Sequence, residues 1–222
     1  MIVQSSEGVT LVGGGPVSKV ILKQSLGFAP EIVAADAGAD RLWRLGKVPQ
    51  AVIGDLDSIS KAGRLRFADR LFPIREQATG DFDKALRSIN APFVLGLGFS
   101  GARLDHGLAV LNALVRHPDR RCFILSAQDV TFLAPRHIIL DLPKGSRLSL
   151  FPLGAVRGQS QGLKWPLDGI DFAPDAMIGT SNQVTGPVQL RFDADKMLVI
   201  LPRTALAACL RAFGLQSPFR GG

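Results

Sequence analysis

Residues 31–59, EIVAADAGADRLWRLGKVPQAVIGDLDSI, decide the fold. The stretch opens on the apolar run EIVAA, which ends in Asp36. A segment follows whose Leu42 and Leu45 precede Gly46 and Pro49, a helix-stop signal. It closes on AVI (51–53), which ends in Gly54 and Asp55. Short apolar runs bounded by turn residues fit buried parallel strands. Strand, helix and strand in this order predict an open, mostly parallel α/β sheet.

The same grammar extends in both directions. GVTLV (8–12) ends in Gly13, Gly14, Gly15 and Pro16; FVLGLG (93–98) ends in a Gly-rich turn, and CFILS (122–126) follows. Between them, Phe82, Ala85, Leu86 and Ile89 recur at i, i+3, i+4 and i+7, and Leu104, Leu108, Leu111 and Val115 form a similar helical stripe. After residue 136 the apolar runs shorten and turns become denser, as in RLSLFPLG, VQLRF and MLVILP. Phe192–Lys196 is expected to be a hairpin connection. The expectation is an α/β N-terminal domain over 1–135 that binds nucleotide, plus a C-terminal all-β sandwich domain over 136–222. That second domain carries a helical tail, TALAACLRAFG, and a frayed end, SPFRGG.

Composition excludes several classes. The hydrophobic share of 46% and charged share of 20% are those of a globular protein. No apolar stretch approaches the ~18–20 residues a membrane helix needs. The first residues carry no basic segment leading into a long apolar one, so a cytoplasmic location is expected. Cys122 and Cys209 each sit alone in apolar runs and read as buried hydrophobes. The net charge of +7 is spread over scattered Lys and Arg, and aromatics are only 7%, which argues against a nucleic-acid surface.

The chemistry lies at strand ends. Asp36 follows EIVAA, Asp55 and Asp57 follow AVI, and Asp81 and Asp105 fall at helix starts. Two carboxylates two residues apart in an extended segment face one way. Such a pair suits Mg²⁺, which takes carboxylates together with phosphate oxygens and water. The ordinary use of a single Asp is a cap or turn, so the grouping carries the signal. GFSGARLDHG (98–107) adds glycines for close backbone approach, Arg103 for phosphate oxygens, and a helix start beside Asp105 and His106. Together these imply metal-assisted phosphoryl-type transfer, without the P-loop signature. In the β-rich half, Trp165 of GLKWPL is placed to stack on an aromatic ligand, and Ser181 and Asn182 of GTSN to hydrogen-bond it. A core Trp and a polar turn are the plainer use of those residues.

In this order the motifs resemble those of the thiamine pyrophosphokinases. ADAGAD (35–40), AVIGDLDSI (51–59), GDFDKAL (80–86), GFSGARLDH (98–106), GLKWPL and GTSN each match a family segment, from about residue 10 to 203. The resemblance implies transfer of diphosphate from ATP to thiamine, release of AMP, use of Mg²⁺, and a homodimer. By matched position it implies that Asp55, Asp57 and Asp81 hold metal and activate the hydroxyl. It implies that Asp36, Arg103 and Asp105, with His106 beside them, form the ATP site. It implies that Trp165, Ser181 and Asn182 contact thiamine from the partner subunit. The chain departs from the pattern at Ala78-Thr79-Gly80-Asp81, where the family usually has Asp-x-Thr-Asp. The same fold acting on another alcohol, or binding nucleotide without chemistry, is the alternative reading.

Overall fold

The computed structural model describes residues 1–101 and 103–215. Among the described residues the chain divides into two compact units, Met1–Ala113 with Arg120–Ser126, and Leu114–Asp119 with residues 127–215.

In the first unit β1 (Val3–Gln4) pairs in parallel with β6 (Ile89–Asn90). The main sheet contains β2 (Val9–Val12), β3 (Glu31–Ala35), β4 (Ala51–Gly54), β5 (Leu71–Pro73), β7 (Val94–Leu97) and β8 (Cys122–Leu125). Its order is β8-β7-β2-β3-β4-β5 and every pairing is parallel. All residues of β2, β4, β7 and β8 are buried, which is why these strands read as continuous apolar runs. Thr10 is the polar exception. Its hydroxyl donates to the Ala29 carbonyl at 2.6 Å and meets Ser25 Oγ at 2.8 Å, so its burial leaves nothing unpaired.

The helices are α1 (Lys19–Leu26), α2 (Gly38–Arg44), α3 (Lys61–Arg66), α4 (Asp81–Ser88) and α5 (Leu104–Arg116). Ser18 and Ser60 cap α1 and α3 by accepting from the Ile21 and Gly63 amides at 3.2 and 3.0 Å. Phe82, Ala85 and Leu86 are the buried face of α4, as their spacing predicts. Ile89 is buried too, but in β6, just past the helix end. The stripe on α5 behaves differently. Leu104 and Leu108 are 78% and 56% exposed, and the helix instead buries Val110, Ala113 and Leu114.

The named strands of the second unit pair antiparallel. It contains β9 (Asp129–Leu133), β10 (His137–Leu140), β11 (Arg147–Pro152), β12 (Val156–Leu163), β13 (Asp171–Phe172), β14 (Gly179–Phe192) and β15 (Met197–Pro202). β9 pairs with β15 and so belongs to this unit, although it precedes the composition change at 136. The order runs β9-β15-β11-β14-β12-β13, with β10 also on β14. The 14-residue β14 is shared. Its start pairs with β11, its later part with β12 and β10.

The expected hairpin at Phe192–Lys196 needs correction. The turn is there, but the strands it joins do not pair with each other. β14 ends between β10 and β12, whereas β15 pairs with β11 and β9. The turn therefore carries the chain from one strand group to another, which a local apolar pattern does not distinguish from a hairpin. Arg136 braces this turn, its guanidinium reaching Asp195 at 2.9 Å and the Asp193 carbonyl. The helical tail is α6 (Leu206–Ala212), which buries Leu206, Cys209 and Leu210. The SPFRGG end lies outside the described residues. Both thiols are buried, and burial pushes Cys209 up to about 12 and Cys122 further, so neither is a nucleophile at neutral pH.

Close packing of α2 on β2 generates a test. A Cβ on Gly38 would overlap the Val12 carbonyl and fall 3.2 Å from the Gly13 Cα, both backbone. Gly38→Ala is therefore expected to cost about 3 kcal/mol of stability, the scale of overpacking against atoms that cannot turn aside. A urea melt at unchanged m-value reads the loss; wild-type stability would show that the helix has room to shift.

Candidate active site

The first unit's sheet runs from β2 through β3 and β4 to β5 in one direction, then returns to β7 and β8 on the other side of β2. The switch point lies between β2 and β7, where open α/β sheets receive ligands beyond the carboxyl ends of the strands. The two glycine turns meet there. The Gly15 amide donates to the Gly98 carbonyl at 3.0 Å, and a Cβ on Gly98, at φ +72°, would stand 2.8 Å from the Gly13 carbonyl oxygen. Arg41 reaches back from α2 to the Gly14 carbonyl at 3.3 Å. Phe99 sits edge-on to Phe82 of α4 at 4.7 Å, tying this turn to the next part of the site.

Asp36, Asp55 and Asp57 converge. Each offers a carboxylate oxygen, and these oxygens all lie within 4.8 Å of one another. Asp36 follows β3 and is 2% exposed. Its Oδ1 and Oδ2 accept from the Ile59 and Ser58 amides at 3.0 and 3.1 Å, so it anchors the loop after β4. Asp40, in the first turn of α2, does the same for the start of α3, accepting from the Ser60 amide and hydroxyl at 2.7 and 2.6 Å.

The pairing of Asp55 with Asp57 arises from a different geometry than strand alternation. Leu56 between them has φ +66°, and Asp36 has φ +42°, both left-handed. The chain kinks at Leu56, and the Asp57 amide folds back to donate to Asp55 Oδ1 at 3.2 Å. Leu56 is buried, and its carbonyl accepts from Arg64 of α3, so the kink is held from both sides. A non-glycine residue in this region costs of order 1–3 kcal/mol and persists where its surroundings over-determine it. Gly54 completes the turn. A Cβ there would lie 2.9 Å from Asp81 Oδ1 and 3.1 Å from the Asp36 Cβ, so the carboxylates close over a bare backbone.

Asp81 is the first residue of α4 and joins the group from the side. Its Oδ1 accepts from the Asp55 amide at 3.3 Å. It also meets the ammonium of Lys84, 3.3 Å away, which lies 2.8 Å from Asp55 Oδ2. Lys84 holds Asp55 below the usual carboxylate range, and its own side chain is 1% exposed. The motif reading passed over this lysine. Its one available signal was position: Lys84 stands three residues after Asp81, on the face of α4 that carries the acid.

Arg103 and Asp105 are exposed and form a two-pronged pair at 3.2 and 2.6 Å. The guanidinium draws Asp105 down to about 2. Asp105 lies in the first turn of α5, and His106 beside it is exposed.

In the second unit Trp165 is 53% exposed, with the Lys164 ammonium 4.7 Å from its ring centre. Asn182 is buried and fully engaged. It donates to the Trp165 carbonyl at 2.7 Å and accepts from the Trp165 and Gln183 amides at 3.2 and 2.8 Å. Its structural work is to hold the Trp165 segment against β14. Ser181 is exposed at φ +61°, and its amide donates to Ser149 Oγ at 2.9 Å.

The chain thus joins a parallel α/β unit with acidic loops at its strand ends to an antiparallel β unit bearing an exposed tryptophan. Residues 22–124 match the thiamin pyrophosphokinase catalytic domain, and residues 136–197 its vitamin B1 binding domain. Thiamine pyrophosphokinase 1 of rice is 28% identical over 82% of this chain and 85% of its own length. Thiamine pyrophosphokinase 1 of Arabidopsis thaliana is 28% identical over 85% and 87%. The fold matches thiamin pyrophosphokinase from Candida albicans at a TM-score of 0.74 and 16% identity, covering 90% of this chain and 91% of that one. It matches the yeast enzyme at 0.75 and 16%, covering 89% and 86%. The chain belongs to the thiamin pyrophosphokinase family, whose members are ATP-dependent diphosphotransferases.

Asp36 sets a pH dependence. Burial pushes its carboxyl up to about 6, opposed by the Ser58 amide and reinforced by repulsion from Asp81, Asp57 and Asp55. A raised acid binds its proton more tightly folded than unfolded; the stability this lends is complete below pH ~4 and lost as pH rises through about 6. Metal binding runs the opposite way, because the ligand must be ionised. Mn²⁺ affinity of the free protein is expected to fall about fivefold from pH 6 to 5, as the ionised share of Asp36 drops from about a half to about a tenth, and Asp36→Asn to flatten that step. A wild-type profile flat across this range contradicts the assignment.

Proposed function

We propose that the protein is a cytoplasmic, Mg²⁺-dependent thiamine diphosphokinase. It would use ATP to convert thiamine into thiamine diphosphate, releasing AMP. The observation that carries the reading is the convergence of Asp36, Asp55 and Asp57 at the carboxyl ends of adjacent strands in a chain of this family. Three carboxylates with hard oxygen donors fit Mg²⁺. A magnesium ion held by Asp55 and Asp57, with Asp36 as third carboxylate where the family resemblance implies Asp81, would neutralise phosphate charge.

The chain's own residues supply the rest. The glycine turns at 13–15 and 98–101 admit the nucleotide's phosphates close to backbone. Arg103 exchanges Asp105 for phosphate oxygens, a trade between two anionic partners of the same guanidinium. Asp81, fixed by the Lys84 ammonium and the Asp55 amide, takes the proton of the thiamine hydroxyl. The hydroxyl oxygen then bonds to the β-phosphorus of ATP. The bond from that phosphorus to the α–β bridging oxygen breaks, and AMP leaves with the electron pair. In the second unit, a sandwich in this reading, Trp165 offers its ring face to thiamine; Ser181 hydrogen-bonds the ligand and Asn182 fixes the platform. Thiamine and ATP are thus the partners, and no nucleic acid or membrane is involved. No helix among the described residues is long and apolar enough to cross a membrane.

The active protein in this proposal is a homodimer with Trp165 serving the partner's phosphate site. The exposed Leu104 and Leu108 of α5 support burial against a second chain.

Incubation with ATP, Mg²⁺ and thiamine is expected to yield AMP and thiamine diphosphate in equal amounts. Asp55→Asn and Asp57→Asn are each expected to lose at least ~10²-fold in rate while remaining folded. ADP as the only thiamine-dependent nucleotide product would remove the diphosphate-transfer reading. Turnover of a different alcohol would favour the alternative substrate.

Subunit sharing has its own test. Asp57→Asn and Trp165→Ala chains, dissociated together and reassociated, form mixed dimers in which one site is intact. Random pairing brings activity to roughly a quarter of wild type. Verified mixed dimers as inactive as their parents would assign Trp165 to its own chain's site.

A further inference from the structure

Lys84 is among the largest fully buried side chains of the protein, in the company of Phe and Leu. Lysine is almost never fully buried unless paired. A methionine fills nearly the same volume without a charge, so packing alone does not call for an ammonium here. What surrounds this ammonium is anionic: Asp55 Oδ2 at 2.8 Å and Asp81 Oδ1 at 3.3 Å, with Asp55 in turn within reach of Asp36 and Asp57. The contacts also select oxygens. Asp55 gives Oδ2 to Lys84 and Oδ1 to the Asp57 amide, while Asp81 gives Oδ1 to both Lys84 and the Asp55 amide.

We propose that Lys84 is the resident counter-cation of the acidic site, a positioning residue that holds the Asp55 and Asp81 carboxylates together and correctly turned when no metal is bound. Four carboxylates gathered at these strand ends repel one another, and a metal ion offsets this only while it is bound. A covalently attached ammonium does so at all times. The site then stays assembled for metal and nucleotide to enter, and its loops need not reorder at each turnover. The metal arm of this inference rests on the magnesium reading above; the charge arm does not.

The test compares thermal melts of the full chain in EDTA and in millimolar MgCl₂. Lys84→Met is expected to melt at least ~5 °C below wild type in EDTA, a shift of the size a lost buried interaction gives in a chain this long. In MgCl₂ it should regain at least half of that deficit, because a divalent cation replaces the missing charge. The double variant Asp81→Asn/Lys84→Met should melt above Lys84→Met in EDTA, although it has lost one more group, since the unpaired negative charge goes with it. A Lys84→Met deficit that is absent in EDTA, or that is equal in both buffers while Mg²⁺ stabilises the wild type, overturns the proposal. So does a double variant that melts at or below Lys84→Met in EDTA. If Lys84→Met does not fold without metal, the double variant decides alone: folding supports the proposal, and failure to fold overturns it. If Mg²⁺ stabilises neither wild type nor any variant, the magnesium reading fails, while the EDTA comparison still judges Lys84.

Discussion

Mutual repulsion among carboxylates is the constraint around which the first unit is arranged. Asp36, Asp55 and Asp57 sit within 4.8 Å of one another, with Asp81 hydrogen-bonded to the same loop. Left alone, such a group would splay apart or take up protons. Two devices oppose that, incompletely at Asp36. Backbone amides of Asp55, Asp57, Ser58 and Ile59 donate into the carboxylates. The Lys84 ammonium bridges two of them. Asp36, the most buried, keeps a raised proton affinity. The left-handed turns at Asp36 and Leu56 follow from this, because only a kinked loop presents so many amides to so small a volume.

Steric closeness is the second theme, and it serves the first. Gly54 lets Asp36 and Asp81 approach over bare backbone, Gly38 lets α2 begin against β2, and Gly98 lets the turn after β7 touch the turn after β2. Side chains at these positions would push the strand-end loops apart. The loops would then lose the spacing that brings the acids together, so backbone packing and site chemistry are one arrangement.

Legibility followed physical type. Buried parallel strands wrote themselves as EIVAA, AVIG and CFIL, because they are covered on both faces over most of their length and, Glu31 aside, every residue is apolar. The carboxylates at their ends were legible for the same reason: an Asp after such a run is already at the ligand-binding edge. The Leu56 kink was not, since leucine carries no mark of a left-handed backbone. Lys84 was hidden because a lone lysine in a helix is ordinarily a surface residue, and only three-dimensional contact makes it the opposite. The α5 stripe misled in the reverse sense, for periodicity finds an apolar face without saying what covers it. β14 was cut short in the reading because GTSN is polar and resembles a turn, whereas in the structure it is the start of a 14-residue strand.

The departure at 78–81 can be weighed on the same physical grounds. Ala78 is exposed, and an added Cβ on Gly80 would meet open space, so neither position is packed against the acidic group. The acid in this segment is Glu76 instead. It accepts from the Thr79 hydroxyl and pairs with Arg87 of α4 at 2.8 Å. The segment before α4 is thus fastened to the helix through Glu76 and Arg87, while Asp81 is fastened to the site through Lys84 and the Asp55 amide. The two fastenings are separate. An aspartate at position 78 would change the charge of the approach to the site without altering the contacts that orient Asp81. The absence of that acid therefore leaves the contacts that hold the carboxylate group intact.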